Sequence, residues 1–257
     1  MPSSLAAYKD QAFVAVLGLT GSGKILLHQP MLEGKTVHLI DTPGFDDTYV
    51  SDIDRLQELA LYLTDLYKSQ VNLTAIIYLQ DIRVERIGGI ALKNIRILES
   101  VTGLDNFGAV TIATNFWTSP PAERSDVHEA ALRDDDRFFG PMLRGGARYW
   151  RLPDWNSSPG RSECLSLLEQ AVLGRQPVAA LQLQRELVDQ GLQFGGTLAG
   201  QVVMAEVERA QAHNLEKIRD LETKLNETLA QVERRRGSWL GDVFRAFGRA
   251  VDDCIIM

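Results

Sequence analysis

Residues Gly18-Leu19-Thr20-Gly21-Ser22-Gly23-Lys24 set three glycines and a lysine at the spacing of a phosphate-binding loop. Gly18, Gly21 and Gly23 let the backbone curl, so that successive N–H groups, those of Thr20 and Ser22 among them, point at a phosphate. Lys24 adds a compact positive charge for the terminal phosphates. The pattern normally closes with Ser or Thr, whose hydroxyl ligates Mg²⁺; Ile25 stands there and has no oxygen to offer. Asp41-Thr42-Pro43-Gly44 follows 17 positions after Lys24. An Asp at a strand end can hold the water shell of a metal, and Gly44 would let a backbone N–H approach a terminal phosphate.

Both motifs need strands behind them. Residues 12–17 form a continuous apolar run, as a strand buried on both faces requires, and residues 36–40 form a second. Further strands are expected at 73–79, 108–114 and 148–152, with helices at 52–69 (Ser51 as N-cap), 89–101, 125–138 and 162–173. This alternation predicts an α/β fold in three layers. A mostly parallel sheet is covered on both faces, with ligand residues at the strand C-termini. Asn115-Phe116-Trp117 follows one of those strands. Asn115 offers an amide and Trp117 a stacking face to a nucleobase; the competing expectation is that the two aromatics close the core at the strand's edge.

The loop ending in Lys24, followed by Asp41-Thr42-Pro43-Gly44-Phe45-Asp46-Asp47-Thr48, resembles the septin-like and immunity-associated GTPases. It is most similar to their fungal G-domain relatives with a C-terminal coiled-coil helix. Residues 86–94 and 141–148 are similar to that group as well, and the resemblance extends over about residues 10–235. It implies a P-loop GTPase G domain, GTP as ligand, Mg²⁺ dependence and nucleotide-controlled self-association. Under it Gly18, Thr20, Gly21, Ser22, Gly23, Lys24 and Gly44 bind the phosphates, and Asp41 belongs to the outer shell of the metal.

The chain departs from that group in specific places. Such domains set a helix, a loop carrying a metal-binding Thr and an edge strand between the two motifs. Here only the 11 residues 25–35 remain, with no Thr among them and with Pro30 to stop a helix. A parallel crossover needs roughly 10–12 residues, so the strands can connect while the usual metal site cannot be rebuilt. Two origins fit the gap: a loss in the protein, or a coding segment missing after Lys24. Phe45 occupies the place of a water-orienting Gln, and the guanine-reading motif Asn/Thr-Lys-x-Asp has no counterpart after Thr114. The expectation is a GTP-binding protein with weak or absent hydrolysis. The alternative is a non-catalytic interaction protein that uses its helical C-terminus.

The 257 residues suit a G domain at 1–175, a helical extension at 176–236 and an amphipathic helix at 237–257. A net charge of −7 argues against a nucleic-acid partner, and no segment reads as a signal or a membrane span. Cys164 and Cys254 suggest neither a disulfide nor a zinc framework, and the four His lack metal-ligand spacing. In the extension, Ile218, Leu221, Leu225 and Val232 share one a/d seam, interrupted by Asn214 and Thr228. A fold-back onto the G domain and a homodimer both fit that seam.

The chain ends Cys254-Ile255-Ile256-Met257, the form of a farnesylation signal on Cys254. Trp239, Leu240, Val243, Phe244, Phe247 and Val251 precede it on one helical face, a face suited to a membrane surface or to docking on the protein itself. The expected location is cytoplasmic, with peripheral membrane attachment through the lipid.

Overall fold

The computed structural model describes residues 10–18, 31–32, 34–42, 52–83, 89–117, 122–153, 158–173, 178 and 180–254. Strands run as β1 (Gln11–Gly18), β2 (Met31–Leu32), β3 (Lys35–Asp41), β4 (Ala75–Asp81), β5 (Val110–Asn115) and β6 (Arg148–Arg151). They form one sheet in the order β2-β3-β1-β4-β5-β6. The five from β3 to β6 are mutually parallel, and only β2 is antiparallel to its neighbour. The helices are α1 (Asp52–Lys68), α2 (Gly89–Thr102), α3 (Ala122–Asp134), α4 (Gly140–Arg144), α5 (Ser158–Val172), α6 (Gln182–Gln184) and α7 (Leu198–Cys254).

Strand periodicity builds the two cores. In β1, Ala15 and Leu17 face one side with Ile76 and Tyr78 of β4 and Ile112 of β5, against Leu56 and Leu63 of α1 and Leu98 of α2. Ala12 and Val14 face the other side with Ala75 and Ile77, against Leu167, Leu168 and Val172 of α5. The expected three-layer α/β arrangement is therefore the observed one.

The segment after the first motif holds a strand that the sequence reading did not place. This is β2, two residues long, with Met31 opposite Thr36 and Leu32 opposite Lys35. Gly34, just before β3, has φ +81°, in the left-handed region that glycine adopts without a Cβ clash. Leu32 is buried and holds the short strand to the α5-side core.

The chain forms two compact units, residues 1–205 and 206–257. The first includes the segment before α7. Composition there favours helix, yet continuous helix begins only at Leu198. Before it lie α6, a single π-helical turn Arg185–Asp189 and a left-handed Gly191. The buried Gln184 ties this segment to α1: its Nε2 donates to the Leu63 carbonyl at 2.9 Å, and its Oε1 accepts from the Leu181 N–H at 2.9 Å. Two side chains satisfy the start of α7. Thr197 accepts from the Gly200 N–H at 3.0 Å, and the buried Glu186 carboxylate accepts from the Leu198 N–H at 3.1 Å. The second unit is the remainder of α7.

Candidate functional site

In an open parallel sheet, ligands gather beyond the strand C-termini where neighbouring strands lead their connections in opposite directions. Here that point is the end of β1. The chain leaves β1 toward β3 on one side, while β4, on the other, leads on to β5. Gly18 is the last residue of β1 and lies level with Leu79 of β4, so the phosphate-loop motif begins at the switch point itself. Thr20, Gly21, Ser22, Gly23, Lys24 and Gly44 lie outside the described residues. Asp41 ends β3 level with Val16 and is exposed at the same edge.

The next residue shows how this edge is tied. Thr42 is buried, its hydroxyl donating to the Val16 carbonyl at 3.0 Å and its N–H to the same oxygen at 3.3 Å. The second motif is thereby stitched to the strand that carries the first. The Thr42 hydroxyl proton is committed to this bond, and the exposed Asp41 carries a carboxylate, a hard oxygen donor, at this end of β3. That donor fits the outer shell of a Mg²⁺ ion better than a complete site. Among the described residues no group of three or more His, Cys, Asp or Glu is arranged to hold a metal.

Two aromatic–arginine pairs close the β4–β5–β6 side. Phe116 leaves β5 at φ +63°, a left-handed conformation rare for a bulky side chain. The Arg83 guanidinium lies 3.9 Å from its ring centroid. Asp81, at the end of β4, grips that guanidinium through both oxygens, Nε at 3.0 and 3.1 Å and Nη2 at 2.6 Å, and also accepts the Arg83 N–H at 2.8 Å. This grip holds the Arg83 guanidinium in its charged form, its pKa raised above the usual arginine value by the Asp81 bond.

Trp117 lies under Arg151 of β6 at 4.3 Å. Arg151 is itself held by the buried Glu129 and by Asp126 of α3, and the bond to Glu129 raises its pKa further. Trp117 Nε1–H donates to the Thr114 carbonyl at 3.1 Å and to its hydroxyl at 3.2 Å, and its ring packs on the core. Asn115 is buried at the strand end, where its carbonyl accepts the Ile82 N–H at 3.2 Å.

Asn115 and Trp117 thus share this edge with Gly18 and Asp41, with the indole N–H already committed. Sequence reasoning passed over Arg83, Asp81, Arg151 and Glu129, because Arg83 meets Phe116, and Arg151 meets Trp117 and Glu129, only across different elements of the fold. Cys254 ends α7; its side chain, like the apolar stripe from Trp239 to Val251, lies outside the described residues. Among the described residues, no helix is long and apolar enough to cross a membrane.

No family model and no curated protein matches this chain. Solved structures do. Toc33 from Arabidopsis thaliana, in complex with GDP and Mg²⁺, is 15% identical over 69% of this chain and 94% of its own, with a TM-score of 0.47. The elongation factor SelB from Methanococcus maripaludis, with the GTP analogue GPPNHP, is 11% identical over 65% of this chain and 35% of its own, at 0.44. Cdc11 from Saccharomyces cerevisiae is 14% identical over 76% of this chain and 99% of its own, at 0.34. These likenesses are distant; the α/β fold of this chain rests on its own strand order.

Proposed function

We propose that this chain is a guanine-nucleotide-binding protein of the P-loop GTPase class whose hydrolysis is weak or absent. The observation that carries the proposal is placement. Gly18 opens the phosphate-loop motif at the switch point of a parallel sheet, and Asp41 ends the adjacent parallel strand. In this reading the loop backbone and Lys24 hold the phosphates, Gly44 approaches the terminal one, and Asp41 orients the water shell of Mg²⁺. When bound, that ion would neutralise charge between the phosphates. Hydrolysis is slow because Ile25 offers no hydroxyl and Phe45 orients no water. The preference for guanine rests on the family resemblance.

Titration of the purified, folded chain with a fluorescent GTP analogue at controlled Mg²⁺ tests the reading, with an ATP analogue in parallel. Saturable binding that Lys24→Ala weakens at least tenfold is expected. Folded protein with no detectable affinity for either nucleotide would refute it.

The second reading is a non-catalytic interaction protein, favoured by the long helix of residues 206–254, whose described side chains as far as Gln231 are largely exposed. Attachment to a membrane through a farnesyl group on Cys254 is compatible with both readings. Cys254→Ser should move the protein into the soluble fraction of its cell, and unchanged partitioning would remove the lipid anchor from the proposal. Pairing with a second copy through the C-terminal helix belongs to the same proposal.

A further inference from the structure

Among the described residues, the second unit holds an apolar stripe that no other segment covers. Leu215, Ile218, Leu221 and Leu225 of α7 are each 50–65% exposed, and Val207 is 36% exposed. A heptad register with Ile218 and Leu225 at a and Leu221 at d extends forward through Thr228 (d) to Val232 (a). Backward it passes two polar positions, Asn214 (d) and Gln211 (a), and regains an apolar residue at Val207 (d). Residues 207–232 cover about 39 Å of helix.

The polar positions differ in what they ask of a partner. The Thr228 hydroxyl donates to the Lys224 carbonyl at 2.8 Å within its own helix, so the side chain needs no polar partner across an interface. Gln211 and Asn214 carry amides that both donate and accept, so each can pair with its own counterpart on a second helix in the same register. Such layers lower stability and fix register. Branched Ile218 and Val232 at a with Leu221 at d is the combination that favours two strands.

The flanking charges decide the orientation. In this register Lys217 and Lys224 occupy g, and Glu208 and Glu222 occupy e. In a parallel dimer, g of one helix meets e of the next heptad on the other, so Lys217 meets Glu222 of the second copy, twice by symmetry. In an antiparallel dimer over the same residues g meets g, which sets Lys217 against Lys224 of the second copy, twice by symmetry. The described residues Lys217, Glu222 and Lys224 are exposed and available for this pairing.

We infer that α7 pairs with α7 of a second copy of this chain as a parallel, in-register, two-stranded coiled coil over residues 207–232. The inference rests on reading the arm as a self-association element and does not depend on nucleotide binding.

Sedimentation of the nucleotide-free full chain over micromolar concentrations is expected to show a monomer–dimer equilibrium, as a short seam with two amide layers implies. Lys217→Glu or Glu222→Lys alone should weaken the dimer about fivefold, since each turns two attractions into two repulsions, and the double exchange should restore it. Ile218→Asp with Leu221→Asp should leave only monomer, with circular dichroism showing that the fold remains. With Cys164 and Cys254 replaced by Ser, Gln211→Cys and Val232→Cys chains should each oxidise to a homotypic disulfide, and a mixture of the two should give no 211–232 link.

A monomer at every concentration would overturn the inference. So would tighter dimers from the single charge reversals, or 211–232 disulfides. Failure here would leave the nucleotide titration standing, and failure of that titration would leave this one standing.

Discussion

The clasp between Asp81 and Arg83 yields a quantitative prediction at the candidate site. Arg83 keeps 43% of its side-chain exposure and Asp81 only 12%, so the pair lies between a surface ion pair and a buried one. Surface pairs couple by about 0.2–1 kcal/mol, and breaking a fully buried pair costs about 3–5 kcal/mol. The bidentate geometry and the half-screened arginine place the coupling near 1.5 kcal/mol. Asp81→Ala also removes the acceptor for the Arg83 N–H, while Arg83→Ala also removes the cation resting on Phe116. Each single variant should therefore lose about 2 kcal/mol. The double variant should lose about 2.5 kcal/mol rather than about 4. Asp81→Asn, which keeps the turn acceptor but not the charge, should fall between wild type and Asp81→Ala. Urea unfolding of the five proteins measures these differences, and each single variant should melt about 4–8 °C lower. A coupling below about 0.5 kcal/mol would show that the backbone alone holds Asp81 and that the clasp does not close this edge.

Other positions are testable with simpler measurements. Gly103→Ala should destabilise by at least about 2 kcal/mol, because φ is +79° and a Cβ would sit 2.8 Å from Gln182 Cβ; an unchanged melting temperature would contradict that packing. Burial raises the Glu99 carboxyl pKa, more than Arg96 lowers it, so the folded chain favours the protonated acid more than the unfolded chain does. Its penalty is then absent below the unfolded pKa of about 4.3 and complete above the raised folded value. Glu99→Gln should accordingly raise the melting temperature at pH 7 and lose that gain toward pH 4, whereas a pH-independent gain would point to packing. The Cys164 thiol, its pKa raised by burial and then by Glu163, should react with iodoacetamide at pH 7 more slowly than free cysteine; equal rates would place it in solvent. Asp41→Ala should reduce the Mg²⁺-dependent part of nucleotide affinity about tenfold, measured by the same titration with and without the metal, and a vestigial pocket would show no difference.

What could be read in advance followed from how strongly each element is specified locally. The strands of the parallel sheet are buried on both faces and so appear as unbroken apolar runs. Such a run needs no knowledge of its neighbours, and β1, β4 and β5 were legible for that reason. β2 has no local signal of comparable strength. Two residues become a strand because β3 supplies the hydrogen-bonding partner. The stretch before α7 misled in the opposite sense, since its leucines and glutamines favour helix. The buried side chains of Gln184 and Glu186 instead bind α1 and the N-terminus of α7, and the left-handed Gly191 follows them. Tertiary bonds outweigh propensity there.

The same distinction explains the candidate site. Its proposed phosphate loop, Gly18–Lys24, is contiguous in sequence, since successive backbone N–H groups around one anion come from one short segment. Its other half is assembled across the sheet, where Arg83 reaches Phe116 from β4 and Arg151 reaches Trp117 from β6. No spacing rule links those residues, but strand register does: Asp81 lies opposite Asn115 and Thr114 opposite Arg151. Each arginine is therefore held where a parallel neighbour ends, over an aromatic that the adjacent strand delivers one or two residues later. A ligand entering from the β1 side meets an edge already fixed by ion pairs. Asp81 is engaged with Arg83 and Glu129 with Arg151, so neither of these two carboxylates stands free on the β4–β5–β6 side of the edge.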